Sequence, residues 1–155
     1  MNMRCKLGVV ILGGALCATM AVSQDKKVKR SDLPPAVEKT VAAQSTGATI
    51  KSFSTEKENG ETLYEAEMTV GGHSKDVTMN AQGEIVEVEE EVAMDNLPAA
   101  VKSGLLSKAG KGKITTVESL TKKGKLVAYE AQVNSNGKKS EAQVGPEGQP
   151  LDHKE

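Results

Sequence analysis

Few side chains in this sequence could do chemistry. An activated hydroxyl or thiol nucleophile needs a neighbouring base, and only His73 and His153 could fill that role. His73 follows Gly71-Gly72 and His153 lies in the polar segment that runs to Glu155, both places where an imidazole is solvated rather than held against a nucleophile. A hydrolase would have to use His73. Two histidines on separate segments also fall short of the three or four ligands of a zinc site. The densest acidic run, Glu87, Glu89, Glu90 and Glu91 with Asp95 nearby, offers a different chemistry. Strand alternation would set Glu87, Glu89 and Glu91 on one face, a weak candidate set for a hard cation such as calcium. The run lacks the glycine and the ligand spacing of a calcium loop. Its plainer reading is a solvated edge strand whose charges discourage pairing with another chain. No cofactor is expected.

Composition narrows the field further. At 155 residues, with 26% charged and 37% hydrophobic positions, the chain has the make-up of an ordinary globular protein. Aromatic content is 2%, with one Phe, two Tyr and no Trp, so the core must be built from Val, Leu, Ile, Ala and Met. Any interface lacks the usual aromatic anchors. The net charge of −1 leaves no basic footprint for nucleic acid. Lys122-Lys123-Gly124-Lys125 and Lys138-Lys139 read as solvated hairpin tips.

The elements that would position these residues begin after a targeting segment. Arg4 and Lys6 precede an uncharged run from Leu7 to Val22, and Ala21-Val22-Ser23 offers small residues to a signal peptidase. Residues 1–23 therefore read as a secretory signal cut before Gln24. The uncharged run is shorter than the roughly 20 apolar residues that span a membrane. Cys17 suggests a lipoprotein alternative, disfavoured because the bulky Leu16 precedes it. Cleavage removes Cys5 and Cys17 and with them any disulfide or cysteine metal site. Residues 24–31, rich in Lys and Arg, read as a polar leader.

From Asp32 the chain uses one pattern twice. Asp32-Leu33-Pro34-Pro35-Ala36-Val37 returns as Asn96-Leu97-Pro98-Ala99-Ala100-Val101. Asp32 and Asn96 suit helix N-caps, and the prolines suit a first helical turn. Leu33, Val37 and Val41, and then Leu97, Val101 and Leu105, give one apolar stripe each. After each helix the period changes to 2. Tyr64, Ala66, Met68 and Val70 alternate with Glu65, Glu67 and Thr69; Val127, Tyr129, Ala131 and Val133 alternate with Ala128, Glu130 and Gln132. Asn59-Gly60 and Lys123-Gly124 predict hairpins, and Gly71-Gly72, Asn136-Gly137, Gln82-Gly83 and Glu147-Gly148 predict further turns. The expected fold is α+β with two tandem repeats, 32–94 and 95–155. Each would have an N-terminal helix packed on an antiparallel meander of about four strands, the last strand of the second being short or absent. Such units are marginal alone, so the two should pack together or share a sheet.

These motifs resemble the PepSY-like family related to β-lactamase-inhibitor proteins. The likeness rests on Leu33-Pro34, Tyr64-Glu65-Ala66 and Gly83 in one copy, and on Leu97-Pro98, Tyr129-Glu130-Ala131 and Gly148 in the other. It covers residues 32–153. The resemblance implies a secreted or envelope protein without enzymatic activity, and some of the family's members bind or inhibit peptidases or β-lactamases. It also implies a helix on one face of each sheet, with the other face left for binding. The expected protein is thus a periplasmic or secreted, non-catalytic binding module with a protein partner, a peptidase being the first choice. Glu65, Glu67, Thr69, Glu130 and Gln132 would lie on its binding face. The alternative is a cation-responsive, calcium-binding envelope protein using Glu87, Glu89 and Glu91.

Overall fold

The computed structural model describes residues 26–155, so the expected signal segment, with Cys5 and Cys17, lies outside the described residues. Lys26–Val28 forms a short edge strand, β1, within the segment read as a polar leader. A 3-10 turn and helix α1 (Pro35–Gln44) follow, and then four strands: β2 (Ala48–Glu58), β3 (Glu61–Val70), β4 (His73–Met79) and β5 (Ile85–Glu91). A second 3-10 turn leads into α2 (Ala99–Ala109) and three more strands: β6 (Lys113–Lys122), β7 (Lys125–Ser135) and β8 (Lys138–Val144).

The helices start later than their sequence signals suggest. Asp32 ends a 3-10 turn instead of capping α1, and its carboxylate accepts the Lys29 amide at 3.1 Å. A residue that precedes proline is driven out of the helical region. Leu33 and Pro34, which both precede prolines, are accordingly extended, and the helix begins at Pro35. In the second half Leu97 is extended before Pro98, and α2 begins at Ala99.

All eight strands form one sheet, each paired antiparallel with its sequence neighbour, in the order β1 to β8. The expectation of two helix-plus-meander repeats is therefore wrong. The overturning feature is the ladder between β5 and β6, which runs from Glu87 opposite Lys122 to Glu91 opposite Glu118. Two separate meanders would each expose a row of unpaired backbone donors and acceptors at this place, and the ladder satisfies both rows. It also places the Glu-rich strand in the middle of the sheet, where it pairs with β4 on one side and β6 on the other. Reading this strand as a solvated edge was incorrect as well.

Both helices cover apolar positions of the sheet. Val37 and Val41 of α1 are fully buried against Ala66, Met68 and Val77, with Leu33 and Phe53 beside them. Val101 and Leu105 of α2 pack on Val117, Ala131 and Val144. Tyr64 and Tyr129 flank these clusters, as befits positions on the apolar side of their strands. No strand follows β8 among the described residues.

Two turns fix the helices to the sheet at close quarters. Gly83 and Gly148 have positive φ, 76° and 79°, and a Cβ on either would strike backbone, the carbonyl oxygen of Ala36 or of Ala100. The Thr40 hydroxyl donates to the Gly83 carbonyl at 2.7 Å and ties the first contact. Replacing Gly148 with Ala combines a strained dihedral with a backbone clash that cannot relax without moving α2. Gly148→Ala should cost about 2 kcal/mol and lower the thermal midpoint by roughly 5 °C. Unchanged melting would show that this turn is not held against the helix.

An acidic sheet face opposite the helices

Strand alternation sends every second side chain to the face away from α1 and α2. On β3 those residues are Leu63, Glu65, Glu67 and Thr69; on β4 they are Ser74, Asp76 and Thr78. Glu87, Glu89 and Glu91 follow on β5, Glu118 and Leu120 on β6, Ala128, Glu130 and Gln132 on β7, and Glu141 and Gln143 on β8. Because the sheet is continuous, all the residues expected on a binding face, and all three cation candidates, share one surface. Register places them in rows. Glu67 lies opposite Asp76, which lies opposite Glu89. Glu65, Thr78 and Glu87 make a second row, and Glu91, Glu118, Glu130 and Gln143 a third.

Like charges directly opposite one another destabilise a sheet, and neighbouring donors offset most of them here. Ser52 donates to Glu67 and Ser54 to Glu65, both at 2.6 Å. The Ser74 hydroxyl donates to Glu118 at 3.1 Å and its amide to Glu91 at 3.0 Å. Gln143 donates to the buried Glu130 at 2.7 Å, and Lys122 lies 3.6 Å from Glu87. Among the described residues no side-chain hydrogen bond or ion pair of this kind reaches Asp76 or Glu89, and the environment acts on their protons instead. Burial, reinforced by Glu65, Glu67 and Glu118, pushes Asp76 up to about 6. Burial, reinforced by Glu87, Glu118, Glu130 and Asp76, pushes Glu89 up to about 8. Burial also raises Glu87 and Glu118. Glu91 moves the other way, held down chiefly by the Ser74 amide.

This arrangement does not support a cation cage. Among the described residues no group of three or more His, Cys, Asp or Glu side chains is placed to hold a metal ion. Glu87 is turned to Lys122 and Glu91 to Ser74 and His73, while the high pKa of Glu89 keeps it protonated near neutral pH. Hydrolytic chemistry finds no better footing. His73 is 60% exposed and lies 3.6 Å from Glu91, whereas the hydroxyl of the adjacent Ser74 goes to Glu118. His153, 79% exposed, lies 3.6 Å from Glu155. Asp76, Glu118, Glu141 and Gln143 belong to the face and were missed from sequence. Asp76 and Gln143 could have been found by extending the alternation from Val77 and from Ala142 and Val144.

A carboxyl whose folded pKa exceeds its unfolded value binds extra protons in the folded state, so stability falls as pH rises from the unfolded value through the folded one. For Glu89 that window runs from its ordinary 4.5 up to about 8. The carboxylates that are held low, Glu38, Glu91 and Glu141, act below the ordinary value and do not oppose this trend. Folding stability should thus decline between pH 5 and pH 8. After discounting for residual solvent contact, Glu89→Gln should recover about 1 kcal/mol at pH 8 and flatten the profile. Denaturant melts at the two pH values check this, and an equal loss in Glu89→Gln would remove Glu89 as the source.

Compared with known proteins, the sequence matches no family model and no curated protein. Solved structures do match. A BLIP-like protein from Bacteroides fragilis is 24% identical with a TM-score of 0.55, over 77% of this chain and 83% of that one. A candidate periplasmic protein from Bacteroides eggerthii is 18% identical with a TM-score of 0.61, over 76% and 84%. A DUF2874 family protein from Bacteroides ovatus is 19% identical with a TM-score of 0.56, over 75% and 82%. At these identities the likeness is one of fold: the chain is folded like BLIP-like and DUF2874 proteins, and membership of the PepSY-like family does not follow from it.

Proposed function

We propose that this chain is a periplasmic, non-catalytic binding module whose acidic sheet face takes a cationic segment of a partner protein. The observation that carries this reading is the convergence of Glu65, Glu67, Asp76, Glu87, Glu118 and Glu130 on one sheet face, crowded enough around the half-buried Glu89 that this carboxyl keeps its proton near neutral pH until a cation approaches. A sheet that sets carboxylates opposite one another forgoes stability that alternating charges would give. A positively charged partner would restore it. Such a surface also speeds encounter with an oppositely charged protein, an effect that salt weakens.

Two further points favour the reading. One solved structure of the same fold bears the name BLIP-like, and another is described as a candidate periplasmic protein, in keeping with the signal expected over residues 1–23. With so few aromatic residues, the face must act through charge and hydrogen bonding more than through buried anchors. The sequence resemblance favours a peptidase as the partner, and the acidic face would suit one with a basic surface.

The face can be tested without knowing the partner. A fluorescent hexalysine peptide should bind the mature chain at low ionic strength, with affinity falling steeply as salt is added. Glu67→Lys should weaken binding about tenfold, whereas Glu147→Lys, the same charge change on the turn after β8, should weaken it no more than about twofold. Equal effects of the two substitutions would assign the binding to net charge and remove the face.

A further inference from the structure

The chain partly covers this face with its own residues. Beyond β8 the backbone reverses through a turn in which the Gly145 amide donates to the Gln149 carbonyl at 2.9 Å. Residues 151–155 then run back over the sheet without regular secondary structure. Their contacts bring one charge of each sign to the face. The Lys154 ammonium is paired with Glu141 and lies 3.4 Å from Glu130. The Glu155 amide donates to the Gln143 side-chain oxygen at 2.9 Å, and its carboxylate lies 3.9 Å from Lys122.

These contacts cross three strands. Glu141 and Gln143 belong to β8, Glu130 to β7 and Lys122 to β6. A path from Gln143 to Lys122 passes over the intervening row, where Leu120 lies opposite Ala128. Both are buried, at 1% and 0% exposure, although they point away from the helices. Gln143 works at both ends, its amide donating to Glu130 and its oxygen accepting from Glu155.

We propose that residues 151–155 are a built-in pseudoligand. They form a strap whose Lys154-Glu155 pair occupies the Glu130, Glu141 and Lys122 end of the acidic face as a partner segment would, so that a partner must displace it to gain the whole face. The proposal rests on the binding reading above and adds two things to it. It gives the kind of segment that fits, an extended stretch with a cationic side chain followed directly by an acidic one. It also gives a threshold for binding, because a partner's apparent affinity is reduced by the fraction of time the strap is docked. Ion pairs with exposed members are individually weak. Lys154 is 58% exposed in both of its pairs, so the strap holds its place loosely enough to be exchanged.

The test uses the full mature chain, Lys154→Ala and, as a charge-matched control on the exposed side of α1, Lys39→Ala. Hydrogen exchange reports docking directly. The Glu155 amide should be protected in the native chain and in Lys39→Ala, and should exchange at the unfolded-chain rate in Lys154→Ala. Hexalysine should bind Lys154→Ala about threefold tighter than Lys39→Ala. Equal affinities in the two variants, or a Glu155 amide that exchanges freely in the native chain, overturn the strap. Failure of hexalysine to bind any variant, with the Glu155 amide still protected, overturns the binding reading and the threshold while leaving the docking of the strap established.

Discussion

The ladder between β5 and β6 is the constraint on which the rest of the structure depends. It spans five residue pairs and joins strands that no short turn connects, since α2 lies between them in sequence. Remove it and the molecule has two small sheets, each with a bare edge and a short helix to bury. With it, the edges that remain are β1 and β8, and the acidic positions of both halves become one surface. The face is therefore a product of strand pairing and not of any local motif.

That surface is held in tension. Serine hydroxyls, the Gln143 amide and Lys122 each relieve one carboxylate, but Asp76 and Glu89 keep their protons to higher pH because burial and neighbouring charges act on them together. A core designed for stability alone would put apolar or alternating charges there. Binding sites are where such departures concentrate. Helix packing on the opposite face, through Val37, Val41, Val101 and Leu105, supplies the rigidity that lets the sheet carry them.

Much of the local structure was legible in the sequence. The helical parts of the apolar stripes (Val37 and Val41, Val101 and Leu105), the two-residue hairpins at Asn59-Gly60 and Lys123-Gly124, and the alternation along β3 and β7 are short-range signals that the structure forms, while Leu33 and Leu97 join the core from extended backbone ahead of the helices. Long-range facts were not legible. Nothing in Ile85–Glu91 says that its second edge is filled by Lys113–Lys122, because both sides of a central strand look the same in sequence. Asp32 and Asn96 have good capping chemistry, yet the prolines that follow them set the backbone and win. Alternation could set Glu65, Glu67 and Thr69 on one side of β3, Glu130 and Gln132 on one side of β7 and Glu141 beside Gln143 on β8, but joining these sides into one surface needed the β5–β6 register. The strap escaped because a polar tail gives no periodic signal, and its contacts come from strands much earlier in the chain.

Strand order in this sheet equals strand order in the chain, and this bears on how the molecule is assembled. Five of the seven ladders are closed by the short connections β2–β3, β3–β4, β4–β5, β6–β7 and β7–β8, and only β1–β2 and β5–β6 reach across a helix. Native contacts are accordingly close in sequence for a protein so rich in strands. Proteins of that kind reach the native state faster than sandwiches with crossed connections, because less loop entropy is lost before contacts form. A short search also limits the time in which strand edges lie open to neighbouring chains, an advantage for a sheet that has no disulfide among its described residues to hold a partly formed state together.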